Sequence, residues 1–174
     1  MRLWRIASNV PGEYRADDLS GEGARRYGAR WNSVGIPAIY AATTVSTAVL
    51  ENLAHLGGRK TPRNRYLVSI DVPDRLFSHK HHGVKYFVAS ALPALWNAQP
   101  AHQVSQVWGD AYLAEVPPPQ RRTRLPPIGF AVPSVLVEED YNLVLNPRHP
   151  LVRKHVRASV VRAFVFDHRL VLSP

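Results

Sequence analysis

The amino-acid sequence predicts an α+β fold, a mixed or antiparallel sheet with flanking helices. Three observations predict it. Short apolar runs with strand character recur along the whole chain. Two other stretches carry helical spacing instead. The two kinds are intermixed, without the strict strand–helix–strand rhythm that builds parallel sheets. A length of 174 residues suits one domain, 1–174, large enough to bury a core without staples.

Residues 2–6, RLWRI, predict a first strand. Residues 9–29 are rich in Gly, Asp and Arg and predict a loop with a short helix. PAIYA, 37–41, is a short apolar run bounded by Gly35 and Thr43–Thr44, hence a strand. A helix follows, with Thr44 as N-cap and Gly57–Gly58 as its stop. Its buried stripe is Val45, Val49, Leu53 and Leu56. YLVSIDV, 66–72, predicts another strand. Residues 101–115 fit a helix with Val104, Val107, Trp108 and Ala111 on one face, although Gly109 is a poor helix former. The prolines and arginines of 116–127, VPPPQRRTRLPP, predict an exposed excursion. Residues 129–137, 142–145 and 159–167 complete the strands, with no repeat and no second domain.

Composition excludes several functions. Cysteine is absent, which removes disulfides, thiolate catalysis and cysteine-ligated zinc. No apolar run has the length of a membrane helix, and the N-terminus lacks a signal-peptide core. The expectation is a cytoplasmic protein without a membrane partner. The net charge of +9 and pI of about 10.4 fit a nucleic acid, a phosphorylated metabolite or an acidic protein as partner. Basic residues cluster at Arg121, Arg122 and Arg124, and again from Arg148 through Arg153, Lys154, Arg157, Arg162 and Arg169. No zinc-finger spacing, phosphate-binding glycine loop or aromatic RNA-binding signature accompanies them.

The residues able to carry chemistry sit mainly in GARWNSVGIPAIYAATTVSTAVLENL, 28–53. Glu51 lies about 160° around its helix from Val49 and Leu53, off the apolar stripe. Its neighbours Ala48 and Ala54 are small enough to admit a ligand; the plain alternative is a solvated glutamate. Arg30, before Trp31, can fork onto a diphosphate or carboxylate, or form a surface ion pair. Tyr40 can stack on a planar ligand, or serve as a half-buried core tyrosine. Ser134, in AVPSVLV, lacks the G-x-S-x-G context of an activated nucleophile, and taken alone it fits a locally satisfied strand serine better. HKHH, 79–82, has no accompanying carboxylate or helical spacing, so a solvated loop fits it better than a metal site. NPRHP, 146–150, reads as a capped turn.

Taken in order, these pieces resemble the RES domain family, toxins of bacterial toxin–antitoxin pairs. The arginine, glutamate and serine that name the family match Arg30 in GARWN, Glu51 in AVLENL and Ser134 in AVPSVLV. Tyr40 in AIYAA matches the family tyrosine. LWRI at 3–6, WGDAY at 108–112 and YNLVLNPRHP at 141–150 add to the match, which covers about residues 3–150. Tyr112 stands where many members carry tryptophan, and the excursion 117–127 lengthens the segment before Ser134.

The resemblance implies an ADP-ribosyltransferase-like fold with NAD⁺ in a cleft as substrate. It implies cleavage of the nicotinamide–ribose bond, as a glycohydrolase or, with inorganic phosphate as co-substrate, a phosphorylase; one branch instead transfers ADP-ribose to a protein. Catalysis falls to Arg30, Tyr40, Glu51 and Ser134, and NAD⁺ binding to Arg30, Trp31, Asn32, Tyr40 and Ser134. In this scheme Glu51 stabilises the sugar cation, Arg30 takes the diphosphate, Tyr40 offers its ring, and Ser134 offers its hydroxyl to the nicotinamide amide or the ribose. No metal and no resident cofactor is required. The implied partner is a helix-turn-helix antitoxin that blocks the site and carries the pair to operator DNA, in a homodimer or a larger toxin–antitoxin assembly. The contrasting expectations are a basic ribonuclease-type toxin, which explains the charge but not the ordered residues, and a binding module without turnover.

Overall fold

The computed structural model describes residues 1–56, 63–114 and 125–170. Seven strands form one sheet: β1 (Arg2–Ser8), β2 (Ile39–Ala42), β3 (Arg65–Asp71), β4 (Val84–Tyr86), β5 (Gly129–Pro133), β6 (Tyr141–Leu145) and β7 (Arg157–Phe164). Among the described residues five α-helices flank them: α1 (Glu22–Tyr27), α2 (Val45–Leu56), α3 (Asp74–Phe77), α4 (Gln103–Leu113) and α5 (Pro150–His155). The strand order is β4-β5-β6-β2-β1-β3-β7. Every pairing is antiparallel except β4 with β5. The α+β class and the mixed sheet are as the sequence predicts.

Pairing along the sheet is uneven. β1 meets β3 over seven residue pairs, Arg2↔Asp71 to Ser8↔Arg65. Its other edge meets β2 only at Trp4↔Ala42. The sheet is therefore two well-laddered halves joined at one point.

Alternation along the strands sends apolar side chains to both faces. One face packs Leu3, Ile39, Ala41, Val68, Ile70 and Leu143 against α3 and α5. The other carries two separate clusters. Ile6, Ala42 and Leu67 pack on Ala48 of α2. Phe130, Val132 and Val144 pack on Trp31, Trp96 and Leu113 of α4. Tyr40, Ala42, Asn142 and Val144 share this face, because Tyr40 pairs with Val144 and Ala42 with Asn142. Tyr40 and Asn142 thus line the seam between the two clusters.

Several elements differ from expectation. The predicted strand 129–137 stops at Pro133. Beyond it Ser134 N–H donates to the Asp140 carbonyl at 2.8 Å and Asp140 N–H to Val137 at 3.0 Å, so 134–140 is a tight connection. α3, β4 and α5 are additional elements. The NPRHP turn leads into α5, with His149 Nδ1 accepting from Leu151 N–H at 3.1 Å and Pro150 in the first turn, where its missing N–H costs nothing. The Gly57–Gly58 stop, most of the 116–127 excursion and the Arg121–Arg124 cluster lie outside the described residues.

Candidate active site

Helix α2 delivers Glu51. Thr44 caps the helix: its Oγ1 accepts from Thr47 N–H at 3.1 Å and donates to an Asp140 carboxylate oxygen at 2.9 Å. Thr47 Oγ1 also donates to Asp140. A carboxylate at the first turn suits the positive end of the helix dipole. The predicted stripe Val45, Val49 and Leu53 is half-buried and packs against the Ile6–Ala42–Leu67 cluster, and the most buried positions of α2 are Thr47 and Ala48 beside it. Glu51, four residues past Thr47, shares the Thr47 side of the helix. It is half-buried against the sheet rather than pointing away from it.

Two donors converge on one oxygen of Glu51. Ser134 Oγ donates to Oε1 at 2.8 Å, and Asn142 Nδ2 donates to the same atom. Oε2 makes no hydrogen bond to a described residue. Ser134 is fully buried, and its oxygen accepts from the Leu136 and Val137 amides at 3.1 and 3.2 Å. A hydroxyl has one proton and two lone pairs, so all three are used. Ser134 thus holds Glu51 with its one proton and both lone pairs engaged.

Arg30 stands at the tip of a tight turn closed by Ala29 N–H to Asn32 O at 3.0 Å. Its Nη1 donates to the carbonyls of Trp96 and Ala98 at 2.9 and 2.8 Å. The rest of the guanidinium makes no hydrogen bond to a described residue, which leaves part of the fork for an anion. Burial lowers the Arg30 pKa, and the negative charge of nearby Glu51 opposes that shift.

The turn is clamped on every side. Asn32 is fully buried and donates to the carbonyls of Ala24 and Ile36 at 2.9 and 2.8 Å. Its Oδ1 accepts from the Tyr40 hydroxyl at 2.8 Å, and that hydroxyl accepts from Trp31 N–H at 3.1 Å. Ser33 is held by Asp110 of α4 through its amide at 2.9 Å and its hydroxyl at 2.6 Å. Trp31 is 3% exposed, with Trp108 and Phe130 edge-on at centroid distances of 5.4 and 6.0 Å. Trp31 and Asn32 were expected to touch the ligand. Their side chains are interior, packed and hydrogen-bonded around the turn that carries Arg30. Gly109 explains why α4 tolerates a glycine: a Cβ there would lie 2.9 Å from the Trp31 carbonyl carbon and closer still to its oxygen.

Tyr40 connects the parts. Its hydroxyl fixes the Arg30 turn, burial pushes its pKa up, and the phenol stays neutral. Tyr40 also lines a cavity of about 210 Å³ shared with Arg5, Tyr14 and Gly21. Ligand pockets for drug-sized molecules run from about 300 Å³ upward, so this one suits at most part of a large ligand. The histidine run is a local turn in which His79 Nδ1 accepts from the His81 and His82 amides at 3.2 and 3.3 Å. Among the described residues no three His, Asp or Glu side chains are grouped to hold a metal, and no helix is long and apolar enough to cross a membrane.

Sequence reasoning missed Asn142, Asp140 and Asp110. Asn142 left one signal: a polar side chain on an inward-facing position of an otherwise apolar strand. The other two act from points distant in sequence.

The chain is similar to known proteins over nearly its whole length. The family model described as the RES domain matches residues 2–167. A Sphingobium sp. (strain YBL2) protein named "Prs ADP-ribosylating toxin" is 40% identical over 169 residues, covering 97% of this chain and 96% of that one. A protein of Photorhabdus laumondii named "Toxin Res" is 33% identical over 171 residues, covering 98% and 97%. A chain from the crystal structure of the M. tuberculosis MbcT–MbcA toxin–antitoxin complex superposes with a TM-score of 0.63 at 21% identity, covering 98% of this chain and 86% of that one. The fold is shared at that distance, and the family model spans β1 through β7 with Arg30, Tyr40, Glu51 and Ser134 inside it: the chain belongs to the RES domain family.

Proposed function

We propose that the chain is the toxin of a toxin–antitoxin pair and acts by cleaving the nicotinamide–ribose bond of NAD⁺. The observation that carries this reading is the Glu51 carboxylate, immobilised at Oε1 by two donors beside Arg30 and Tyr40. In such a cleavage the C1′–N1 bond breaks and its electron pair goes to the pyridinium nitrogen. Nicotinamide leaves neutral and positive charge develops on the ribose. A fixed anion facing that sugar stabilises the charge without reorganising as it forms. The remaining donors of Arg30 take the diphosphate. Water or inorganic phosphate then captures the cation and gives up a proton; no side-chain nucleophile is needed.

Transfer of ADP-ribose to a protein is the second reading. It draws on the name of the 40%-identical relative and uses the same first step with a different acceptor. The names of the relatives and of the structural neighbour also support an antitoxin as partner. In this scheme the antitoxin carries the helix-turn-helix region, covers the site and makes the contact with operator DNA.

Purified chain is incubated with NAD⁺, with and without phosphate, and separately with cell protein and labelled NAD⁺. Free ADP-ribose indicates hydrolysis, a phosphorylated ADP-ribose indicates phosphorolysis, and label on protein indicates transfer. Glu51→Gln keeps the size and both Oε1 contacts but removes the charge. Turnover should fall by roughly 10²-fold, or about 3 kcal/mol, with NAD⁺ affinity changed far less. Wild-type turnover by folded Glu51→Gln removes the mechanism.

A further inference from the structure

We infer that Asn142 is a positioning residue for the reaction, fixing Glu51 so that Oε2 alone faces the substrate. The inference rests on the reading of Glu51 given above. Asn142 lies on β6 opposite Ala42 of β2, with its side chain in the seam beneath α2. Its Nδ2 and Ser134 Oγ donate to the same carboxylate oxygen. One hydrogen bond leaves a carboxylate free to swing about its last torsions. Two donors, one on β6 and one in the 134–140 connection, on one oxygen, fix its plane. Oε2, unbonded to the described residues, is then held in one direction.

The two donors are not equivalent. Ser134 is locked by the Leu136 and Val137 amides within its own turn, so its direction is set locally. Asn142 stands on the central ladder, where four consecutive pairs to β2 and five to β5 fix its backbone. It ties Glu51 to a strand paired along both edges. An amide nitrogen also fits the task better than an acid or a second alcohol. It can only donate, so Oε1 meets hydrogen and never a competing lone pair.

The test uses the full chain, Asn142→Leu and Asn142→Asp, with Glu51→Gln as control. Leucine keeps volume and removes the donor. Turnover of NAD⁺ should fall roughly 10- to 100-fold, with KM within about threefold, because the donor acts on the group that meets charge only in the transition state. Aspartate keeps the shape but sets a second carboxylate against Oε1. Like charges at that distance favour a protonated Glu51, so the acid limb of the pH–rate profile should move to higher pH, and activity should recover as pH rises. A merely structural role lowers the melting temperature and leaves turnover of the folded protein at the wild-type level. Should the leucine variant fail to fold, the isosteric aspartate variant decides through its turnover at the pH where the wild type is fully active. If Glu51→Gln is inactive while both Asn142 variants keep wild-type turnover and an unshifted profile, the positioning role is overturned. If Glu51→Gln is itself active, it is the mechanism of the site that fails.

Discussion

Tyr40 shows how one side chain can serve scaffold and site together. Its hydroxyl donates to Asn32 and accepts from Trp31, and both partners are interior. Tyr40→Phe leaves the Trp31 amide and the Asn32 carbonyl oxygen unmatched, at a cost of about 1–3 kcal/mol by thermal unfolding. The same residue carries a pH signature. Burial raises its folded pKa above the unfolded value of about 10, so the folded state holds the proton more tightly. That stability is complete below pH about 10 and is lost as pH rises toward the folded value. Melting temperature should therefore drop above pH 10 in the wild type, and less steeply in Tyr40→Phe. Arg30→Ala acts on two fronts. It removes the donors assigned to the diphosphate, raising KM for NAD⁺, and frees the Trp96 and Ala98 carbonyls, loosening the 96–98 segment. Kinetics combined with hydrogen exchange over 96–98 separates the two, and an unchanged KM removes Arg30 from ligand binding. At this scale the order of Arg30, Tyr40, Glu51 and Ser134 was legible in the chain. What Ser134 touches was not, because its partner lies 83 residues away and hydrogen bonds of that span leave no periodic trace.

Among the elements, α4 makes the sharpest case. Replacing glycine by alanine inside a helix ordinarily stabilises by about 1 kcal/mol. Gly109 should reverse that sign, because a methyl group there meets the Trp31 backbone rather than open space. Gly109→Ala should lose about 1–3 kcal/mol through overpacking, and should lower NAD⁺ turnover by displacing the Arg30 turn. A more stable, fully active Gly109→Ala protein would show that the helix shifts freely. Legibility among the elements followed period and length. β1, β3, α2 and α4 carry enough alternation or helical spacing to be placed within two residues. α3 and β4 span four and three residues, too short for any period. The apolar stripe of α2 was legible and its polar flank was not, for a specific reason. That flank is Thr47 beside Ala48 and Glu51, and apolar spacing alone cannot find a face that packs through hydrogen bonds.

Across the whole molecule, the +9 charge is unevenly neutralised. Arg2, Arg25, Arg26 and Arg169 each hold an acid, Asp71, Glu22, Glu13 or Asp167. Arg153 and Lys154 are exposed on α5, and no ion pair to them is formed among the described residues. An acidic antitoxin segment should associate faster at low salt, slowing by roughly tenfold as the ionic strength rises into the screened range. Arg153→Ala with Lys154→Ala should flatten that dependence while free chain still cleaves NAD⁺. A salt-independent on-rate for the cognate partner removes charge from the explanation. Net charge and fold class were both readable from the chain alone; the distribution of unpaired charge was not, since it depends on which acids the fold brings within reach.

The single pairing of β1 with β2 has a mechanical meaning. A sheet laddered throughout moves as one plate; this one is two plates sharing a pivot at Trp4 and Ala42. Helix α2 spans that pivot. Asn52 Nδ2 reaches the Ile6 carbonyl on one plate at 3.4 Å, while Thr44 and Thr47 grip Asp140 on the other. The carboxylate of Glu51 thus rides on a crossbar anchored to both halves of the sheet, so its position depends on how the two are set against each other at that one pairing.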